Sequence, residues 1–184
     1  AQITTLSTSS NLTISGSGQL DLYGHSQTLA SLTSSSTSTK IFNSVATTTA
    51  TLTVAGGATT FAGVIQDNTG TGGIVQLSVG SGATLTLTNT NTFTGTTTVT
   101  AGSSGNTTLA LGSGGAIASS SGVILSGGSK NAVFDISQTS GASIKTLSSS
   151  GTVASDRVYL GAQTLTLTAA NDTFGGVIAD SGGI

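Results

Sequence analysis

Proline, cysteine, methionine, tryptophan and glutamate are all missing from this chain of 184 residues, and each absence closes a route. Without cysteine there is neither a disulfide framework nor a thiolate metal site. Charged residues make up 5% of the chain, against roughly 25% in ordinary soluble domains. That scarcity, with a mean hydropathy of +0.29 and no proline, argues against disorder, which combines low hydrophobicity with high charge. Helices are disfavoured because the Glu, Lys, Arg and Gln that usually coat them are scarce or absent. The four basic residues, Lys40, Lys130, Lys145 and Arg157, are scattered and the net charge is −2, so no electrostatic footprint points to nucleic acid or to an anionic membrane. No apolar run is long enough for a transmembrane helix.

What the chain does contain is threonine, serine, valine and leucine, with 27 glycines. Thr and Val suit a pleated, half-buried surface, and glycine supplies tight corners. In TLTLT (84–88) and again in TLTLT (164–168), Leu85, Leu87, Leu165 and Leu167 alternate with threonines and so share one face. Short strands are expected at 51–54, 74–79, 97–100, 107–111, 123–125 and 133–136. Glycine clusters separate them, as in AGG (55–57), GSG (80–82), AGSSG (101–105), GSGG (112–115) and SGGS (126–129).

The chain also repeats itself. TFAGVIQD (60–67) returns as TFGGVIAD (173–180), with 174 − 61 = 113 residues between the phenylalanines. Asp21 to Asp135 is 114 residues and Leu32 to Leu147 is 115, so segments 20–67 and 134–180 form one long repeat of about 114 residues. Asn-Gly and Asp-Gly hairpin turns are absent, and aromatic and charged residues are fewer than in a typical sandwich. The expected architecture is therefore an all-β parallel β-solenoid spanning 1–184, with about eight rungs at roughly 20–25 residues each. In it, Phe61 and Phe174 are expected inside at one corner, with Gly63 and Gly176 allowing close approach. Phe93 and Gly95 supply a third Phe-x-Gly. Ala1-Gln2 is compatible with a mature N-terminus after export, and the stop at Gly183-Ile184, partway through the second repeat, is expected to mark a fragment or a processed piece of something longer.

The run TLTLTNTNTFTGTTTVTAG (84–102), followed by LALGSGGAI (109–117), resembles the autotransporter-associated β-strand repeat of bacterial autotransporter passenger regions. Phe93 stands where that repeat has Tyr, and Thr96 where it has a second Gly. LDLYGHSQTLASL (20–32) and VFDISQTSGASIKTLSSSG (133–151) are also similar to what flanks such repeats. The resemblance implies a right-handed parallel β-helix, secreted to or exposed at the outer surface of a Gram-negative bacterium and delivered through a C-terminal barrel. A structural or adhesive role follows from it. Passage through a narrow pore as an unfolded thread fits the lack of cysteine.

Residues that might carry chemistry are few. His25 is the single histidine, and the nearest carboxylate in sequence, Asp21, is four residues away in a strand-and-turn segment ill-suited to a Ser-His-Asp triad. Asp156-Arg157 is the one adjacent opposite-charge pair, and clusters of such residues serve polysaccharide-cleaving β-helix enzymes. Glycoside hydrolysis, however, needs two carboxylates near one bond, and the six Asp are dispersed. GVILSGGSK (122–130) fails as a phosphate loop, and the calcium-binding nonapeptide has no match. Thr-x-Thr units begin at 51, 84 and 164, at spacings of 33 and 80, which share no rung length and so argue against a regular ice-matching array.

No catalytic residue, metal, cofactor or small-molecule substrate is expected. The expected partners are other copies of the chain, neighbouring solenoid segments, or a host or bacterial surface. Two other readings stay open: a filament subunit polymerising through uncapped solenoid ends, and a polysaccharide-active enzyme.

Overall fold

The computed structural model describes residues 6–70, 72–80, 82–151 and 153–180. Ala1, Gln2 and the Gly183-Ile184 end lie outside the described residues. Among the described residues, nineteen short strands wind through three parallel faces, coil after coil. The first coil is β1 (Asn11–Thr13), β2 (Gln19–Asp21) and β3 (Gln27–Leu29), and the second is β4 (Ser31–Thr33), β5 (Lys40–Phe42) and β6 (Thr49–Val54). The third is β7 (Ala58–Phe61), β8 (Val64–Ile65) and β9 (Ile74–Gly80). The fourth and fifth carry β10 (Thr84–Leu87) and β11 (Thr97–Thr100), then β12 (Thr107–Leu111) and β13 (Val123–Ser126). In these two coils the second face is reduced to a bridge between Thr90 and Ala116. The sixth is β14 (Ala132–Asp135), β15 (Ala142–Ile144) and β16 (Leu147–Ser149). The seventh, after a 3-10 turn at Val153–Ser155, has β17 (Asp156–Tyr159) and β18 (Leu165–Leu167), and β19 (Val177–Ala179) opens an eighth.

Every strand pairing is parallel. The chain is thus an all-β solenoid of about seven turns, consistent with a right-handed parallel β-helix. Seven coils separate Leu12 from Ile178 and β19 opens an eighth, in keeping with the expected eight or so rungs. Coil length varies: a coil takes 20 residues from Leu12 to its partner Leu32, but 27 from Ser34 to Phe61.

Alternation within each strand makes the core. Inward columns run through the stack, one through Leu85, Leu109, Phe134 and Val158 and another through Leu52, Leu77, Thr97, Val123 and Leu147. All nine of these side chains are buried, and all but Thr97 are apolar. Fully burying such an aliphatic or Phe side chain is worth about 1.5–3 kcal/mol, and because neighbours supply each other's cover, stability spreads along the axis instead of centring on one point.

The long repeat does not keep the same face. Leu20 lies on the second face in β2, whereas its counterpart Phe134 lies on the first face in β14. Likewise Val64-Ile65 form β8 on the second face, and Val177-Ile178 fall in β19 on the first. About 114 residues is not a whole number of coils of this length, so the second copy is displaced by one face. What repeats is a local strand–corner–strand unit that fits any of the three corners.

Candidate functional site

The three Phe-x-Gly units follow that rule. Phe61-Ala62-Gly63 turns the chain from the first face to the second, Phe93-Thr94-Gly95 from the second to the third, and Phe174-Gly175-Gly176 from the third back to the first. The expectation that Phe61 and Phe174 share one corner is thereby corrected: local sequence encodes the bend, and position along the coil decides where it falls. The glycines are required by contact. A Cβ on Gly63 would sit 2.6 Å from the Phe61 ring and 2.7 Å from the Thr39 carbonyl oxygen. On Gly95 it would overlap the Val75 carbonyl, and on Gly176 the Asp156 carbonyl and the Phe174 ring. In each case the backbone lies directly over the coil beneath.

The other sequence-predicted positions divide by location. Phe61, Phe93, Leu85 and Leu87 are fully buried. Leu165 and Phe174 are half-buried and pack against the core from one side, and Leu167 is 40% exposed. Their expected place inside the column is corrected for a simple reason: they belong to the last described coil, which has a neighbour beneath it and none above.

Polar side chains at the corners do a second job, joining coils where the ladder is interrupted. Asn91, fully inside, accepts from the Ile65 N–H through Oδ1 (2.9 Å) and donates through Nδ2 to the carbonyls of Asn89 (2.8 Å) and Ala116 (3.2 Å). Buried Asn43 accepts from the Gly24 N–H (2.8 Å) and donates to the Ile74 carbonyl (3.3 Å), so one amide spans three coils. Thr107 accepts from the Gly82 N–H (3.0 Å), and Lys145 donates from Nζ to the Ser119 carbonyl (3.0 Å). Sequence reasoning did not single out Asn43, Asn91 or Thr107. The readable signal was a polar residue sitting where the period-two pattern calls for an apolar one, as in IFN (41–43) and NTF (91–93).

The carboxylates are engaged in the same way. Asp67 accepts from the Val75 N–H (2.8 Å) and, one coil on, from the Thr94 N–H (3.0 Å). Asp21 accepts from the N–H groups of Tyr23 (2.9 Å) and Ser44 (3.0 Å). Partial burial works to raise the Asp21 carboxyl, but hydrogen bonds from the Ser44 hydroxyl and from the two backbone N–H groups more than offset it and hold it below the ordinary aspartate value. Asp156 is buried; its Oδ1 accepts from the Gly127 N–H and its Oδ2 has no protein partner. Arg157, next along β17, points to the opposite side of the sheet, so the adjacent charges do not form a facing pair. His25 is exposed in a turn closed by its own N–H on the Leu22 carbonyl (2.9 Å), and the Asp21 Oδ1 is already occupied by two backbone donors.

Among the described residues no group of three or more His, Cys, Asp or Glu side chains is arranged to hold a metal ion, and no helix is long and apolar enough to cross a membrane. The outward faces are covered chiefly by Thr and Ser. No family model, curated protein or solved structure matches the chain.

Proposed function

We propose that the chain is a rigid structural module of an autotransporter-like passenger, exposed at or released from a bacterial surface, with an adhesive or supporting role. The observation that carries this reading is where the chain's polar chemistry is used. Asp21, Asp67, Asn43 and Asn91 are each tied to backbone groups, most of them one coil away. A design whose polar side chains serve to fasten coil to coil is suited to bearing and projecting, and in this reading no residue is catalytic. The resemblance of 84–117 to the autotransporter-associated strand repeat supplies the cellular setting. Protease treatment of intact producing cells tests it: the protein is expected to be cleaved or shed without lysis, and digestion only after lysis would overturn the surface assignment.

One observation favours a second reading. At the described end of the stack the inward-facing Leu167 and Ile178 are exposed, the latter at 51%, and Leu165 and Phe174 are half-covered. Another solenoid segment, from the same chain or from a second copy, would complete both the ladder and the apolar columns there. Light scattering and electron microscopy of the purified chain separate the two: end-to-end rods support assembly between copies, and single short rods at all concentrations remove it.

A further inference from the structure

We infer that the chain carries two copies of one glycan-binding patch, each centred on an outward aromatic ring, and that their ligand is an uncharged polysaccharide. This names a ligand class for the adhesive role proposed above and rests on that reading for its setting. Among two Tyr and five Phe, Phe61, Phe93 and Phe134 are buried and Phe174 packs against the core, which leaves Tyr23, Phe42 and Tyr159 outside. Phe42 lies on the outward side of β5 beside Asp21 of β2, and Tyr159 on the outward side of β17 beside Asp135 of β14. Two residues before each ring, on the same side of its strand, stands a cation, Lys40 or Arg157. The next coil sets Val64 beside Lys40 and Val177 beside Arg157.

The two quartets occupy different faces, the second and the first, yet hold the same four chemical types in the same register. Val64 and Val177 come from the two octets, so the long repeat carries its outer surface along with its corner. Core packing accounts for the buried Ile41 and Val158 between cation and ring, but it makes no demand on what faces solvent. The chain has only four basic residues, and two of them stand beside an outward ring.

A pyranose ring offers an apolar face of C–H groups and a rim of hydroxyls. The face stacks on the electron-rich face of an aromatic ring, and the rim needs polar groups at the side of the stack. Here the carboxylate supplies acceptors and the Lys or Arg supplies donors. Both carboxylates are oriented in advance: Oδ1 of Asp21 accepts from the Tyr23 and Ser44 N–H groups, and Oδ1 of Asp135 accepts from the Ser137 N–H (2.9 Å). Each patch balances one anion against one cation, which favours an uncharged ligand over a polyanion. Two like sites on one rod suit a ligand that repeats its own unit. Five coil steps separate β5 from β17, about 24 Å along the axis at the usual strand spacing. One long polysaccharide can therefore engage both sites, with the gain in avidity that follows.

The test is affinity electrophoresis and calorimetry of the purified chain with xyloglucan, mixed-linkage β-glucan and galactomannan, and with polygalacturonate as a charged comparison. At least one neutral polymer is expected to bind. Because the chain has two tyrosines and no tryptophan, binding should also change the tyrosine emission. Phe42→Ala and Tyr159→Ala should each weaken binding to the long polymer by about 10-fold or more. With short oligosaccharides of that polymer, each should lower the stoichiometry from about two per chain to about one. The double variant should not bind, Phe42→Tyr should bind as the parent does, and Thr98→Ala on the third face should keep full affinity. Circular dichroism checks that each variant keeps its strand content, and Lys40→Ala with Arg157→Ala replaces the ring variants should those not fold. The inference is overturned if no neutral polymer binds, if only polygalacturonate binds and salt releases it, or if the double variant binds like the parent. Shedding by protease from intact cells without any glycan binding would overturn this inference and leave the surface reading standing.

Discussion

Two nearly identical octets have different fates. In TFAGVIQD the phenylalanine, Phe61, is fully buried, and in TFGGVIAD its counterpart, Phe174, is only partly covered. Both glycines lie too close to the coil beneath to accept a Cβ. The corner is therefore made by local sequence and by the strand below it, while the burial of its phenylalanine depends on the coil that follows. The same holds for the two TLTLT strands: Leu85 and Leu87 have neighbours on both sides, and Leu165 and Leu167 on one.

The widest separation between the copies is expected at the aromatic corner. Phe61→Ala should destabilise by about 3–5 kcal/mol, as for other buried aromatics, and Phe174→Ala by about 1 kcal/mol. Equal losses in denaturant midpoint would mean that the last coil is covered in solution. The leucine pair gives a smaller contrast. Leu85→Ala should cost about 2–5 kcal/mol, and Leu167→Ala should fall within about 0.5 kcal/mol of the parent.

A third change sharpens the comparison inside the covered region. Thr59 occupies the inward column between Leu32 and Leu85, and its Oγ1 is buried without a protein partner. Thr59→Val keeps the shape and removes the unpaired hydroxyl, so it should stabilise by about 1 kcal/mol; a lower thermal midpoint would show that the hydroxyl is satisfied after all. The fourth effect is smallest and depends on pH. Because the folded-state value of Asp21 is lowered, its contribution is full above the unfolded aspartate value, about 3.9, and is lost as pH falls through the folded value. Asp21→Asn should therefore flatten the acid limb of stability below about pH 4, and an unchanged limb would place the acid sensitivity elsewhere.

How much was legible follows the range of the interaction. The expected strands at 51–54, 97–100 and 107–111 correspond to β6, β11 and β12 to within two residues, because alternation is a property of adjacent residues. Phe61 and Phe93 were legible for the same reason, as large residues beside an obligatory glycine. Asn43 and Asn91 were not, since their partners lie one coil away and only contact explains why an amide belongs inside.

By itself, then, the sequence determined the strand class, the corner chemistry and the poverty of charge, all of which act within a few bonded neighbours. Tertiary structure alone decided which residues stand above which, how many coils form and which leucines are covered. Those outcomes depend on backbone hydrogen bonds and packing between segments 20 to 27 residues apart, whose register no local pattern specifies.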